Sequence, residues 1–246
     1  MVTIEKCYLV AAITSALVAL VLVAILATPF DDLYEGKGSG LSMLMIRYNE
    51  PAQDNPYYIR RVDGGWNPSI EGYPVDGNLT ALANCVAWSI GRYNEWIGKR
   101  NCNLLRPSAA CSFVKYAKID GIKTGKTPKI GAVICWTGGG GDEDGHVAVV
   151  EHILNSKTII CSESVYGGVA FRRRVYTKGH FGRWGEEQLG VLYKFEGFVY
   201  NPAVTNDQVF ELRKLIVSKK ATLSQDFNGD GKVDMKDVLT LRKSVY

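Results

Sequence analysis

Few side chains in this sequence can do covalent chemistry, and they are sparse enough to weigh one by one. There are six cysteines and three histidines in 246 residues. Cys85 follows Asn84 and opens the run Val86-Ala87-Trp88-Ser89-Ile90, in which Ala87, Ile90 and Ile97 fall near one face at helical spacing. Asn84 is a favoured N-cap residue, so the spacing predicts a helix whose first turn carries the thiol. The thiolate is the nucleophilic form of cysteine, and the partial positive charge at a helix N-terminus favours it. Cys85 is therefore the candidate nucleophile. Cys135 and Cys161 lie inside apolar strand-like runs and read as core, Cys7 adjoins an apolar N-terminal run, and Cys102 and Cys111 are close enough to pair in an oxidising compartment.

A nucleophilic thiol needs a base, and the base needs a partner that fixes its tautomer. His146 and His152 fall on the same side of one predicted strand, separated by roughly 20 Å at about 3.3 Å per residue, so only one of them can serve Cys85. His146 is the candidate, because it begins its strand beside the glycine-rich stretch Gly138 to Gly145. His152 reads as a surface or strand-end residue and His180 as a loop residue. Glu163 ends the following strand. If the two strands pair antiparallel through the short connection Asn155-Ser156-Lys157, Glu163 reaches the edge where His146 begins.

The elements that must position these residues are helices followed by strands. A second helix is expected over Ser108 to Lys118, ended by Gly121. Strands are expected at Ala132 to Trp136, His146 to Ile153, Thr158 to Glu163, Val169 to Tyr176, Val191 to Phe195 and Phe198 to Tyr200. Short strands after helices imply an α+β fold with an antiparallel sheet. The stretch Gly121-Ile122-Lys123-Thr124-Gly125-Lys126-Thr127 is no phosphate-binding loop: its glycines are one residue too close, and Pro128 stands where a phosphate-capping helix would grow.

Taken together these residues resemble the CHAP domains, cysteine- and histidine-dependent amidohydrolases and peptidases of bacterial cell walls. The likeness rests on Asn84-Cys85 with Gly91-Arg92, Gly131-Ala132-Val133, Gly145-His146-Val147-Ala148-Val149-Val150-Glu151, and Ser162-Glu163-Ser164-Val165-Tyr166-Gly167-Gly168. The resemblance implies a papain-like fold in which Cys85 is the nucleophile, His146 the general base and acid, and Glu163 the orienting third member, with no cofactor required for catalysis. Some family members carry an asparagine two residues after the glutamate; here that position is Val165. The implied reaction is hydrolysis of a peptidoglycan amide, as an N-acetylmuramoyl-L-alanine amidase or an endopeptidase. Backbone N–H groups at the start of the Cys85 helix are the expected oxyanion donors.

A different chemistry lies near the C-terminus. Asp226, Asn228, Asp230, Asp234 and Asp237 supply side-chain oxygens at the first, third, fifth, ninth and twelfth positions of a calcium loop, with the Lys232 carbonyl at the seventh and Gly231 at the turn. Val238-Leu239-Thr240-Leu241-Arg242 follows as a helix, echoed by Val209-Phe210-Glu211-Leu212-Arg213 upstream. The segment is similar to a dockerin repeat, which implies Ca2+ binding and a cohesin partner on an extracellular scaffold. A first calcium loop is missing, so one ion is expected in a small all-α module. A non-catalytic, scaffold-associated or wall-binding protein is the alternative reading.

The expected organisation is a signal peptide or signal-anchor over residues 1–30, the CHAP-like domain over 31–200 and the calcium module over 201–246. Leu9 to Phe30 carries no charge and is long enough to cross a bilayer, with Lys6 before it and Asp31, Asp32 and Glu35 after it. This predicts an extracellular protein, membrane-anchored by the N-terminal helix or secreted. A net charge of +4 without a basic block excludes a nucleic-acid partner. Arg172-Arg173-Arg174 reads as a solvated strand edge or, functionally, as a contact for an anionic polymer.

Overall fold

A computed structural model describes residues 45–51, 55, 57–60, 66–68, 84–99, 104–138, 145–165 and 169–245. The expected membrane span over 9–30, Cys102 and most of the segment before Asn78 lie outside the described residues. Among the described residues no helix is long and apolar enough to cross a membrane.

The chain order begins with a two-stranded ribbon, β1 (Tyr58–Arg60) and β2 (Trp66–Pro68), followed by helix α1 (Cys85–Ile97). A 3-10 turn, Ala110–Ser112, leads into α2 (Phe113–Ile119). Then come β3 (Thr124–Gly125), β4 (Val133–Thr137), β5 (His146–Asn155), β6 (Thr158–Glu163), β7 (Arg172–Thr177), α3 (Glu186–Leu189), β8 (Lys194–Val199), α4 (Asn206–Val217) and α5 (Met235–Ser244). Strands β3 to β8 form one sheet in the order β3-β8-β4-β5-β6-β7, antiparallel at every pairing. The α+β expectation holds.

Both faces of this sheet are covered, which is why β4 reads as an unbroken apolar run. On one face Ile90 and Tyr93 of α1 and Phe113, Val114 and Ala117 of α2 pack on Val133, Cys135, Val147 and Val149. On the other, Ile134, Trp136, Ala148, Val150, Cys161 and Tyr176 pack with Trp184 and Phe198. The alternation of Val133 and Cys135 against Ile134 and Trp136 is the period-two signature of a strand.

Two expected strands near residue 195 are one. Pairing starts only at Lys194, opposite Thr137, and continues to Val199. Gly197 lets the strand pass at φ 143°, where a Cβ would come within 2.9 Å of the Gly125 carbonyl. Val191 and Leu192, expected in a strand, are exposed.

Residues 42–246 make one compact unit, so the segment over 201–246 folds with the rest. A third core joins Val204, Leu212, Phe227, Val238 and Leu241 of that segment to Trp96 of α1, Ile46 and Ile130. The Ile153 N–H donates to the Phe227 carbonyl, and the Ile130 N–H donates to Ser244 Oγ at 2.9 Å. Lys129 Nζ donates to the Val245 carbonyl at 2.7 Å, capping the end of α5.

Candidate active site

Asn84 caps α1 as its residue type predicts: its Oδ1 accepts from the Val86 N–H at 2.8 Å and the Ala87 N–H at 3.3 Å. The cap has a consequence for the expected oxyanion donors. Those two N–H groups are occupied, and at the helix start the Cys85 N–H is the donor left over. Cys85 itself is buried and carries a free thiol. Cys111 is also a free thiol, and Cys102, considered as its partner, lies outside the described residues.

The sheet brings the other two residues to this helix start. β5 pairs with β6 antiparallel, and the early end of β5 meets the late end of β6. Nε2 of His146 lies 2.7 Å from Oε2 of the buried Glu163, and the Cys85 thiol is near enough to the imidazole to act on its charge. Trp136, the Cα partner of His146 across β4, stacks on the imidazole with ring centroids 5.7 Å apart. The three residues expected to act together are thus brought to one place, with His146 and Glu163 in direct contact.

Charge accompanies the geometry. Burial pushes the His146 pKa down, but hydrogen bonds to Cys85 and Glu163 and the charges of both outweigh it and raise the value to about 9. Burial pushes Glu163 up, and the hydrogen bond and charge of His146, helped by Tyr176 and Arg172, bring it below the ordinary carboxylate range. Tyr176 Oη donates to Oε2 of Glu163. Burial and the Glu163 carboxylate raise its pKa, so it acts here only as a donor.

A second buried cluster holds α1 in place. Trp88 and Arg92 lie four residues apart on the face of α1 that meets β5 and β6. Trp88 Nε1 donates to Ser162 Oγ at 3.2 Å, and Ser162 donates to Oε1 of Glu151 at 2.7 Å. Arg92 forks onto Glu151 through Nε and Nη2, both at 2.8 Å, and reaches Glu95 through Nη1 at 2.6 Å. Arg47 completes the cluster on Glu95. Burial would raise both carboxyls; Arg92, with Arg47, lowers them, Glu95 to about 2.

His152 does not lie on the face of His146. The register shifts between Val150, opposite Cys161, and His152, opposite Ile160, so one extra residue turns His152 over. It is buried and bonded to Arg173, and burial with the Arg173 charge lowers its pKa. His180 is exposed, as expected of a loop residue. The arginine run lies on the edge strand β7, as expected, but its side chains are paired rather than left to solvent. Arg172 pairs with Glu163 at 2.6 Å, Arg173 lies on His152 and over the Tyr48 ring, and Arg174 donates to the Gln188 carbonyl. Sequence reasoning missed Arg172 and Tyr176 as partners of Glu163; the strand register Glu163↔Arg172 is the signal that finds the first.

The calcium-loop residues are all described. Asp226 Oδ1 accepts from the Gly229 and Asp230 N–H groups and its Oδ2 from the Gly231 N–H, curling the loop around that side chain. Gly231 turns at φ 82°. Asp237 caps the Asn228 and Asp234 N–H groups from a buried position. Among the described residues no three acidic, His or Cys side chains converge on one point at metal-binding spacing. The donor types and the turn fit Ca2+, and the carboxylates are held by backbone N–H groups instead.

A free thiol, an imidazole and a buried carboxylate thus gather at one helix start and two strand ends. Residues 75–165 match the family model of the CHAP domain, which supports a hydrolase. Among solved structures, an N-acetylmuramoyl-L-alanine amidase from Staphylococcus aureus is similar at 22% identity with a TM-score of 0.32, over 46% of this chain and 30% of that one. This chain thus matches less than a third of that protein's length.

Proposed function

We propose that the chain is an exported peptidoglycan hydrolase that cleaves an amide bond through Cys85, His146 and Glu163. The observation that carries this reading is the 2.7 Å contact of His146 Nε2 with the buried Glu163 carboxylate beside the free Cys85 thiol, surroundings that raise the His146 pKa to about 9. The Cys85 thiolate attacks the amide carbonyl carbon, and the developing oxyanion takes the Cys85 N–H, a kind of donor worth roughly 3 kcal/mol. His146 gives its proton to the departing amine as the C–N bond breaks, leaving a thioester. The neutral imidazole then takes a proton from water, the hydroxide adds to the thioester, and the C–S bond breaks to release the acid and restore the thiol. Glu163 supports the imidazolium in the first half and fixes the tautomer in the second.

The apolar run over 9–30 is the export signal or anchor that would place this chemistry outside the cell. We assign Asp226, Asn228, Asp230, Asp234, Asp237 and the Lys232 carbonyl to one Ca2+ ion, which would neutralise the loop carboxylates and take no part in catalysis. The dockerin likeness favours no second reading, because Leu212, Val238 and Leu241 are buried in the core shared with Trp96.

Purified peptidoglycan incubated with the protein should release fragments whose masses identify the cleaved amide. Cys85→Ala should release none while keeping the melting temperature of the parent. Release by that variant would overturn the assignment.

A further inference from the structure

Glu163 is held by more than the triad uses. Its carboxylate is fully buried and receives donors on both oxygens: His146 and Tyr176 on Oε2, and Arg172 on Oε1, where Nε stands at 2.6 Å. Arg172 comes from the directly opposing position of the neighbouring strand, Glu163↔Arg172, and its side chain is 37% exposed at the rim. Arg174 Nη1 is 4.0 Å from the same oxygen.

Two donors on one carboxylate oxygen leave the group free to turn about its last bond, since that torsion is soft. A donor on the other oxygen fixes the plane. From these contacts we infer that Arg172 is a positioning residue for the general base: it anchors Oε1 of Glu163 so that Oε2 is presented to His146 Nε2. This rests on the catalytic reading of Cys85, His146 and Glu163 given above, and adds a fourth residue that touches neither substrate nor thiol.

Charge and anchoring predict opposite signs when Arg172 is changed. The charged and titratable groups around the pair are Cys85 from α1, His146 from β5, Cys161 from β6, and Arg172, Arg174 and Tyr176 from β7. By charge alone, removing the Arg172 cation relieves repulsion on the His146 imidazolium and raises its pKa. By anchoring, removal lets Oε2 leave His146, and the loss of that acceptor lowers the pKa.

The test is a nitrogen-detected NMR titration of His146 in the full chain, run on the parent, Arg172→Gln, Arg172→Lys and Glu163→Gln. Alkylation of Cys85 by iodoacetamide is followed across the same pH range. In Arg172→Gln the His146 pKa should fall by about one unit towards the Glu163→Gln value. kcat on peptidoglycan should drop roughly tenfold or more with KM nearly constant. The alkaline change in alkylation rate should move down in pH with it. Arg172→Lys keeps the charge but loses the fixed Nε–H, so anchoring predicts a smaller fall and a charge-only role predicts none. An unchanged or raised His146 pKa in either folded variant overturns the proposal. The titration reports on the anchor whether or not the wall is cleaved, whereas Cys85→Ala reports on the catalytic reading alone.

Discussion

Glu151 and Glu163 are both buried, both paired to an arginine, and both lowered in pKa, yet they serve opposite ends. Glu151 faces Arg92, Ser162 and the Arg47 N–H, and every contact is a permanent donor. That cluster is closed and can only hold α1 against the sheet. Glu163 also has an arginine and a hydroxyl, but its remaining partner is a histidine that can lose its proton and that touches a thiol. A buried carboxylate becomes chemistry when one of its donors is titratable near neutral pH.

The comparison can be broken at either carboxylate. Replacing Glu163 by Gln should reduce kcat roughly a hundredfold or more, since the tautomer and the charge of His146 both depend on it. In the parent, the folded pKa of His146 is raised to about 9, so its contribution to stability is whole below its ordinary value of 6.5 and is lost as pH rises through about 9. In Glu163→Gln that loss and the alkaline limb of activity should both begin at lower pH, measured by denaturant melts and rate profiles across that range.

Arg92→Met should act on the fold. It strands Glu151 as an uncompensated buried charge and should cost about 3–5 kcal/mol in urea unfolding. Glu151→Gln, which removes the charge itself, should cost less. Equal loss from both would mean that α1 is held by packing rather than by the ion pair.

Asp237 provides a third case that sharpens the contrast. It is buried like the two glutamates, but no cationic side chain lowers it: burial, together with the Asp226 and Asp230 carboxylates, raises its pKa above the ordinary range. The Ca2+ proposed above would supply such a positive charge. Saturating calcium at a hundred times its Kd should stabilise the unit by about 2.7 kcal/mol, read as a rise in Tm over an EDTA-treated sample. Asp226→Ala should abolish the rise, and an indifferent Tm in the parent would exclude the ion.

Local features were legible in the sequence and pairings were not. The cap at Asn84, the helix over Cys85–Ile97 and the strand Thr158–Glu163 follow from residue type and spacing over a few positions. The choice of His146 followed from a strand end beside glycines. The continuity of β8 through Gly197 depends on a neighbour more than seventy residues away, Gly125, and no local rule sees it. The arginine run looked solvated because its partners, Glu163, His152 and the Gln188 carbonyl, are assigned by strand register and tertiary packing. Residues 201–246 read as a small module of their own, whereas the core of α4 and α5 includes Trp96 and Ile130.

The shift in register between Val150 and His152 bears on how this hairpin can vary. Because of it, Glu151 meets Arg92 while His152 lies beside Arg173, and Val150 stays on the opposite face with Cys161. Deleting Glu151 would restore regular alternation there, leaving Val150 opposite Cys161 and His152 opposite Ile160 on the faces they already occupy. The extra residue is thus what lets Glu151 reach Arg92 without disturbing the pairing on either side of it, and its loss would cost the sheet its hold on α1 while leaving His146 in register with Trp136.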